Sequence, residues 1–385
     1  DGSGGPSMFK SVRINGNLIQ EIGQLKPLSG ETTVDATGLI LSPGFIDTHS
    51  HHDGHIFEMP DALSAVSQGI TTIVVGMDGF SMVPLSNFFS QLENNPVAIN
   101  IASYSGHNSL RSMTMGKDYK RPSTQVEMRN MADLLKQDMK DGALGLSTGL
   151  EYDPGLYSET DEVVDLLKIV SNYKGRYTSH MRSEDISLEA ALDEFIEISR
   201  RTKLPSQISH IKLAKRSLWG QSPWMIDKLN RARAEGLNIT ADVYPYTFYE
   251  STMRILFAKR DFDNRESAEY ALTELVYPDG LTLSHYGPDP SLIGKTIAEI
   301  AAARGKDPAT VLMDLIREDE DETDSAIGVA MSQPDVNRLM QWEHSNICSD
   351  GELIDGHPRG RGAFARILAY YVRSQGILGL ETAIY

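Results

Sequence analysis

His49, His51, Asp78, Glu151, His180, His210 and Asp350 each stand at the end of an apolar run in this 385-residue chain. In a strand, side chains at i and i+2 point to one face, so His49 and His51 project into one space. Two imidazoles converging at the carboxyl end of a buried strand suit a divalent metal, although a pair of hydrogen-bonded histidines in a turn gives the same pattern. The other five residues tip the balance. Four imidazoles and up to three carboxylates around one mouth form a nitrogen and oxygen donor set. Such a set suits Zn2+ best, as one ion or two, with manganese, cobalt or iron as alternatives. Taken singly, each has an ordinary explanation: a strand-end histidine in the core, Asp78 and Asp350 as turn residues before glycine, Glu151 in an ion pair.

These residues need a scaffold that gathers strand ends. Apolar runs of strand length fall near 40–48, 71–77, 98–105, 143–150, 176–180, 205–211, 238–244 and 344–349. Between several of them lie stretches with apolar spacing of three and four, from Thr160 to Lys174, Ser187 to Lys203 and Ser222 to Gly236. Alternating strands and helices predict parallel βαβ units, and eight strands predict an α/β fold of the closed (β/α)8 TIM-like barrel type. An open doubly wound sheet would not explain why most of the strands end in ionisable residues. Barrel active sites are built at those ends.

Residues 11–40 alternate apolar and polar positions around the turn Asn15-Gly16-Asn17, which predicts short antiparallel strands in a small N-terminal β domain over 1–40. The barrel then occupies 41–385, with an insertion at about 248–343 that covers the site. The acidic run Glu318-Asp319-Glu320-Asp321-Glu322 reads as solvated surface.

Composition narrows the partners. With 36 Lys and Arg against 53 Asp and Glu, the formal charge of −17 argues against nucleic acid and anionic membranes. No run of about 18 apolar residues would span a bilayer. The single cysteine, Cys348, excludes an intrachain disulfide framework and suits either a reducing or an oxidising compartment. The chain starts without methionine and stops within a helical pattern, so both ends read as trimmed, leaving any signal peptide and the oligomeric state open.

The chain resembles the amidohydrolase superfamily, and within it the D-aminoacylase (N-acyl-D-amino-acid deacylase) family. The runs that carry the likeness are Ser42-Pro43-Gly44-Phe45-Ile46-Asp47-Thr48-His49-Ser50-His51, Gly69-Ile70-Thr71-Thr72 and Gly142-Ala143-Leu144-Gly145-Leu146-Ser147-Thr148-Gly149-Leu150. Asp242-Val243-Tyr244-Pro245-Tyr246, Ser349-Asp350-Gly351 and His357-Pro358-Arg359-Gly360 extend it along nearly the whole chain. The resemblance implies that His49 and His51 bind one metal with Asp350 close to it, and that His180 and His210 bind the other. This chain has Asp78 where the best-known D-aminoacylases carry a metal-binding cysteine. It has Glu151 near the place of the superfamily's bridging carboxylated lysine or glutamate. Glu151 is the favoured bridge and Asp78 the second choice. The small β domain of that family is assembled from both termini, and only its N-terminal part is present in this chain.

The resemblance also implies hydrolysis of the C–N amide bond of N-acyl-D-amino acids by a metal-activated hydroxide, with Asp350 as general acid and base. The preference for the D-centre comes from the resemblance alone. A substrate of this kind is a small molecule with a carboxylate, for which Arg359 and Arg254 are candidate partners. Tyr152, Tyr157, Lys212 and Tyr246 complete the expected pocket, and His107, ending the third strand, is a candidate supporting residue. Rival readings are a cyclic-amide hydrolase, a dipeptidase acting on D-residues, and a non-catalytic binding barrel, which would have lost its ligands.

Overall fold

A computed structural model describes residues 2–354 and 356–385. The chain divides into two compact units, Ile46–Arg366 and a smaller one formed by Asp1–Phe45 with Ile367–Tyr385. In the smaller unit, β1 (Ser11–Asn15) and β2 (Leu18–Gly23) pair antiparallel. Gly16, at φ +61°, supplies the left-handed turn residue that Asn15-Gly16-Asn17 foreshadows. Arg13 ties the hairpin to Glu21 and Glu31.

The larger unit is built from βα repeats. Its strands are β3 (Phe45–Asp47, entering from the smaller unit), β4 (Ile70–Val75), β5 (Asn100–Ser103), β6 (Ser105–Gly106), β7 (Gly145–Gly149), β8 (Arg176–His180), β9 (Ser206–Ile208) and β10 (Ile239–Val243). After the insertion, β14 (Ser345–Ile347) pairs parallel with β10. The hydrogen-bonded orders are β3-β4-β5 and β6-β7-β8-β9-β10-β14. β5 and β6 are one strand interrupted at Tyr104, and Leu144 N–H donates to Ser103 O across the step. At the other seam Asp350 N–H donates to His49 O and His51 N–H to Gly351 O, each at 2.9 Å. These bonds join the last strand's end to the first, giving the eight-stranded (β/α)8 barrel, and they do so at His49, His51 and Asp350, three of the residues expected to carry chemistry.

The helices over Thr160–Asn172, Leu188–Thr202 and Ser222–Ala234 lie where the apolar spacing puts them. Each turns an apolar stripe inward, as with Val163, Leu166, Leu167 and Val170, all fully buried. The helix Gln125–Asp141 begins with a capping box in which Thr124 and Glu127 satisfy each other's backbone N–H groups.

The segment after β10 has a sheet of its own, with β11 (Phe248–Ser251) and β12 (Leu281–His285) flanking β13 (Ser325–Val329), all antiparallel. It also has its own core, including Phe257, Leu272, Tyr286, Leu312 and Leu315. The sequence reading marks the insertion but not this sheet, whose strands are separated by about 30 and 40 residues. Among the described residues no helix is long and apolar enough to cross a membrane.

Candidate metal centre and its cavity

The four histidines and three carboxylates meet at the carboxyl ends of the barrel strands. Donor atoms of His49, His51, Asp78 and Asp350 all lie within 4.8 Å of one another, and so do those of Asp78, His180 and His210. His49 Nε2 lies 3.3 Å from both Asp78 Oδ2 and Asp350 Oδ1, and His51 Nε2 lies 3.3 and 3.2 Å from the same atoms. Asp78 Oδ2 is also 3.2 Å from His210 Nε2, whose ring nitrogen is in turn 3.0 Å from His180 Nδ1. Asp78 is thus shared by two groups.

Glu151 joins a third group with His180 and Glu184, its Oε2 2.8 Å from His180 Nε2. The two groups that contain Asp78 do not include Glu151, and it is Asp78 that stands between the two histidine pairs in this geometry. Burial, helped by Asp185 and Glu184, pushes the Glu151 carboxyl well above the ordinary range. Burial lowers His180 to about 4.

Backbone conformation aims these groups. Asp78 (φ +52°), His210 (φ +34°) and Asp350 (φ +50°) all adopt the left-handed region, which side chains other than glycine's rarely occupy. Three strained residues at one mouth is the pattern of a functional site. Gly149 lets the backbone close beneath: a Cβ there would lie 2.0 Å from Asp78 O.

The donor set fits a divalent ion. His49 is fully buried, yet neither of its ring nitrogens has a hydrogen-bond partner, and Asp78 Oδ1 is likewise unpartnered. Buried polar atoms are seldom left so, and an ion would satisfy them. Asp242 Oδ1 sits 3.3 Å from His49 Nδ1 and accepts from His210 N–H, which places a carboxylate behind the ligand. Glu184 does the same for His210, with Oε1 2.9 Å from Nδ1. Asp242 and Glu184 escape the sequence reading. Asp242 does end a strand, within Asp242-Val243-Tyr244, but Glu184 lies in a loop without a pattern.

Above the donors opens a cavity of about 440 Å³. Its wall includes Tyr152, Lys212, Arg254 and Arg359 from the expected set. Lys212 Nζ lies 2.6 Å from Glu184 Oε2 and 2.7 Å from His210 Nδ1. Arg359 NH1 lies 2.6 Å from Asp350 Oδ2. Burial alone would raise Asp350, but Arg359, His210 and His49 outweigh it and hold the carboxyl well below the usual range. Tyr244, also in the wall, is buried with its hydroxyl unpartnered, its ring 5.7 Å from Lys212 Nζ and 5.0 Å from the Arg359 guanidinium.

Two expected residues lie outside this wall. Tyr157 packs on Tyr119, and its hydroxyl donates to Asp153. Tyr246 packs on His357 and Phe248, with its hydroxyl on Pro358 O. His107 is also elsewhere, bonded to Glu162 at 2.8 Å in a network with Arg111.

A closed eight-stranded barrel with two imidazole–carboxylate groups at its strand ends is an amidohydrolase architecture, and residues 32–238 match the amidohydrolase family. The chain is 34% identical over 408 residues to an N-acyl-D-glutamate deacylase of Alcaligenes xylosoxydans xylosoxydans, aligning all of this chain with 79% of that protein. It is 32% identical over 413 residues to a D-aminoacylase of the same organism, covering 80% of it. Among solved structures, the N-acyl-D-glutamate deacylase of Bordetella bronchiseptica, complexed with zinc and a phosphonate mimic of the tetrahedral intermediate, superposes with a TM-score of 0.88 at 31% identity. That likeness covers all of this chain and 81% of the other. The chain belongs to the amidohydrolase family, in its D-aminoacylase branch.

Proposed function

We propose that this protein is a metal-dependent amidohydrolase that cleaves the amide bond of N-acyl-D-amino acids. The observation that carries the reading is the shared carboxylate: Asp78 stands between His49, His51 and Asp350 on one side and His180 and His210 on the other. His49, His51, Asp78 and Asp350 would hold one ion, and Asp78, His180 and His210 a second. A divalent ion such as zinc supplies Lewis acidity there, polarising a carbonyl and making water an acid of pKa about 7 rather than about 15.7.

The chain's own groups supply the rest. Asp350 is the general base and acid: its carboxylate takes a proton from the attacking water and delivers it to the amide nitrogen as the C–N bond breaks. Water's oxygen ends in the released carboxylic acid, and the amine leaves as the free amino acid. Arg359, next to Asp350, keeps that carboxylate ionised and ready to accept a proton. The substrate's own carboxylate has unpartnered donors in Tyr244 Oη and Arg359 Nε, and Lys212 Nζ, bonded to Glu184 and His210, stands beside them. Tyr152, whose ring lies 4.4 Å from that of His180, packs beside the reacting group.

Hydrolysis of paired N-acetyl-D- and N-acetyl-L-amino acids by the zinc-loaded protein tests the proposal, with released amine as the readout. Turnover confined to the D-series is the expected result. Turnover of the L-series alone, or of cyclic amides in place of both, would overturn it.

A further inference from the structure

We infer that Glu151 is a positioning residue of the metal centre: it accepts a hydrogen bond from His180 Nε2–H and so leaves the Nδ1 lone pair of that ring for the second ion. The inference rests on the two-ion reading proposed above. It gives a task to a carboxylate that neither of the groups containing Asp78 includes. A neutral imidazole carries one proton on two nitrogens, and the hydrogen bond made at one decides which is free to bind a metal. His180 Nε2 lies 2.8 Å from Glu151 Oε2. On the other side of the ring, His180 Nδ1 lies 3.0 Å from His210 Nε2, which is itself 3.2 Å from Asp78 Oδ2.

His49 shows the same device in the opposite sense. Its Nε2 faces Asp78 and Asp350, and its Nδ1 faces Asp242 Oδ1 at 3.3 Å. His180 is turned round, with Nδ1 towards the donors, and Glu151 is the carboxylate on the side so exposed. Glu184 is a poorer partner for that nitrogen. Its Oε2 is 3.9 Å from His180 Nε2 and only 2.6 Å from Lys212 Nζ, while its Oε1 faces His210 Nδ1 at 2.9 Å. As a metal site of their own, Glu151, His180 and Glu184 would require His180 to give both nitrogens to ions, leaving the ring without a proton. The Lys212 ammonium group beside Glu184 opposes a further cation there.

The backbone pins Glu151 beside the ring it supports. Gly149 and His180 are partners in the register of β7 and β8. One residue on, Leu150 N–H donates to His180 O at 3.0 Å, and the carbonyl of Glu151 accepts from the Arg260 guanidinium. The Tyr152 ring, its centroid 4.4 Å from that of His180, packs on the same imidazole. Glu151 and His180 are both buried, so water competes little for the bond between them.

The test titrates Zn2+ into metal-free parent, Glu151→Ala and Glu151→Gln in competition with a chromophoric chelator, which reads the affinity of each equivalent without turnover. Glu151→Ala should weaken one equivalent by about 10- to 100-fold, the usual cost of losing the partner behind a metal-bound histidine, and leave the other unchanged. Glu151→Gln keeps an oxygen for His180 Nε2–H and should recover most of that loss. No loss in Glu151→Ala, a loss spread evenly over both equivalents, or a loss as large in Glu151→Gln overturns the inference while leaving the proposed function intact. A parent that binds no Zn2+ overturns both. Nitrogen-15 NMR of the histidine-labelled, zinc-loaded parent supplies an arm that needs no Glu151 variant. The His180 signals, assigned by their absence from His180→Asn, should place the ring proton on Nε2. A proton on Nδ1, or on neither nitrogen, overturns the inference.

Discussion

At the barrel's strand ends His49 is buried with both ring nitrogens free of hydrogen bonds, whereas across the cavity Arg260 spends its guanidinium group on Asp153 and on the carbonyls of Glu151, Arg254 and Phe257. The two regions use similar charged side chains to opposite ends. The strand ends keep groups unsatisfied, held in place by strained backbone at Asp78, His210 and Asp350. Arg260 closes its charge off within the insertion and the loop beside it. Unspent donors mark where a ligand is to be bound, and spent ones mark where the wall only shapes.

Asp350→Asn should break that contrast most severely. It keeps an oxygen for a metal but cannot carry the proton, so kcat should fall by about 10³-fold with metal content retained. Metal analysis beside the rate separates the two effects, and a rate within tenfold of the parent would remove Asp350 from the proposed role. Next in size comes the shared carboxylate. Asp78→Ala should strip metal from both histidine pairs, whereas Glu151→Gln, outside those groups, should keep it. Equal metal loss in the two variants would return the bridge to Glu151.

Smaller effects belong to the carboxylate donors. Arg359→Ala should raise KM by about 100-fold, as loss of a charged, buried partner does. Tyr244→Phe should raise it by about tenfold, the worth of a single hydrogen bond. If neither changes KM, the substrate carboxylate is held by other groups.

Much of this architecture was legible along the chain. Eight apolar runs matched eight barrel strands because a strand packed inside a barrel needs apolar residues along much of its length, as with the buried Ile73, Val74 and Val75 that end Ile70–Val75. The convergence of His49, His51, His180 and His210 was legible because barrel strands run parallel and bring their carboxyl ends to one mouth. Which of Asp78 and Glu151 stands between the two histidine pairs was not legible, because that depends on backbone geometry, not on residue type. Glu184 and the three-stranded sheet of the insertion were hidden too, since their partners lie far off in sequence. Tyr246 illustrates the converse: a strand-end position placed it near the site, but its ring packs on His357 instead.

His107 provides the finest test of the contrast, because it too ends a barrel strand and yet belongs with the spent groups. Its Nε2 bonds to Glu162, which also takes two bonds from Arg111 and one from Ser123. Burial alone would raise the Glu162 carboxyl, but His107, Arg111 and Ser123 outweigh it and hold the group at about 2, below its ordinary 4.5. A depressed carboxylate stabilises the fold above its unfolded pKa, and that contribution disappears as pH falls through the folded value. Its worth at neutral pH is about 3 kcal/mol, from the size of the shift. Glu162→Gln should therefore lower urea stability by about that amount at pH 7, and its deficit should narrow as pH is lowered from about 4.5 towards 2. The catalytic rate constant of the folded variant should stay near that of the parent, since the network does not line the cavity. A deficit independent of pH would show that the pair acts by packing rather than charge. A fall in kcat with stability unchanged would bring His107 back among the groups kept for the substrate.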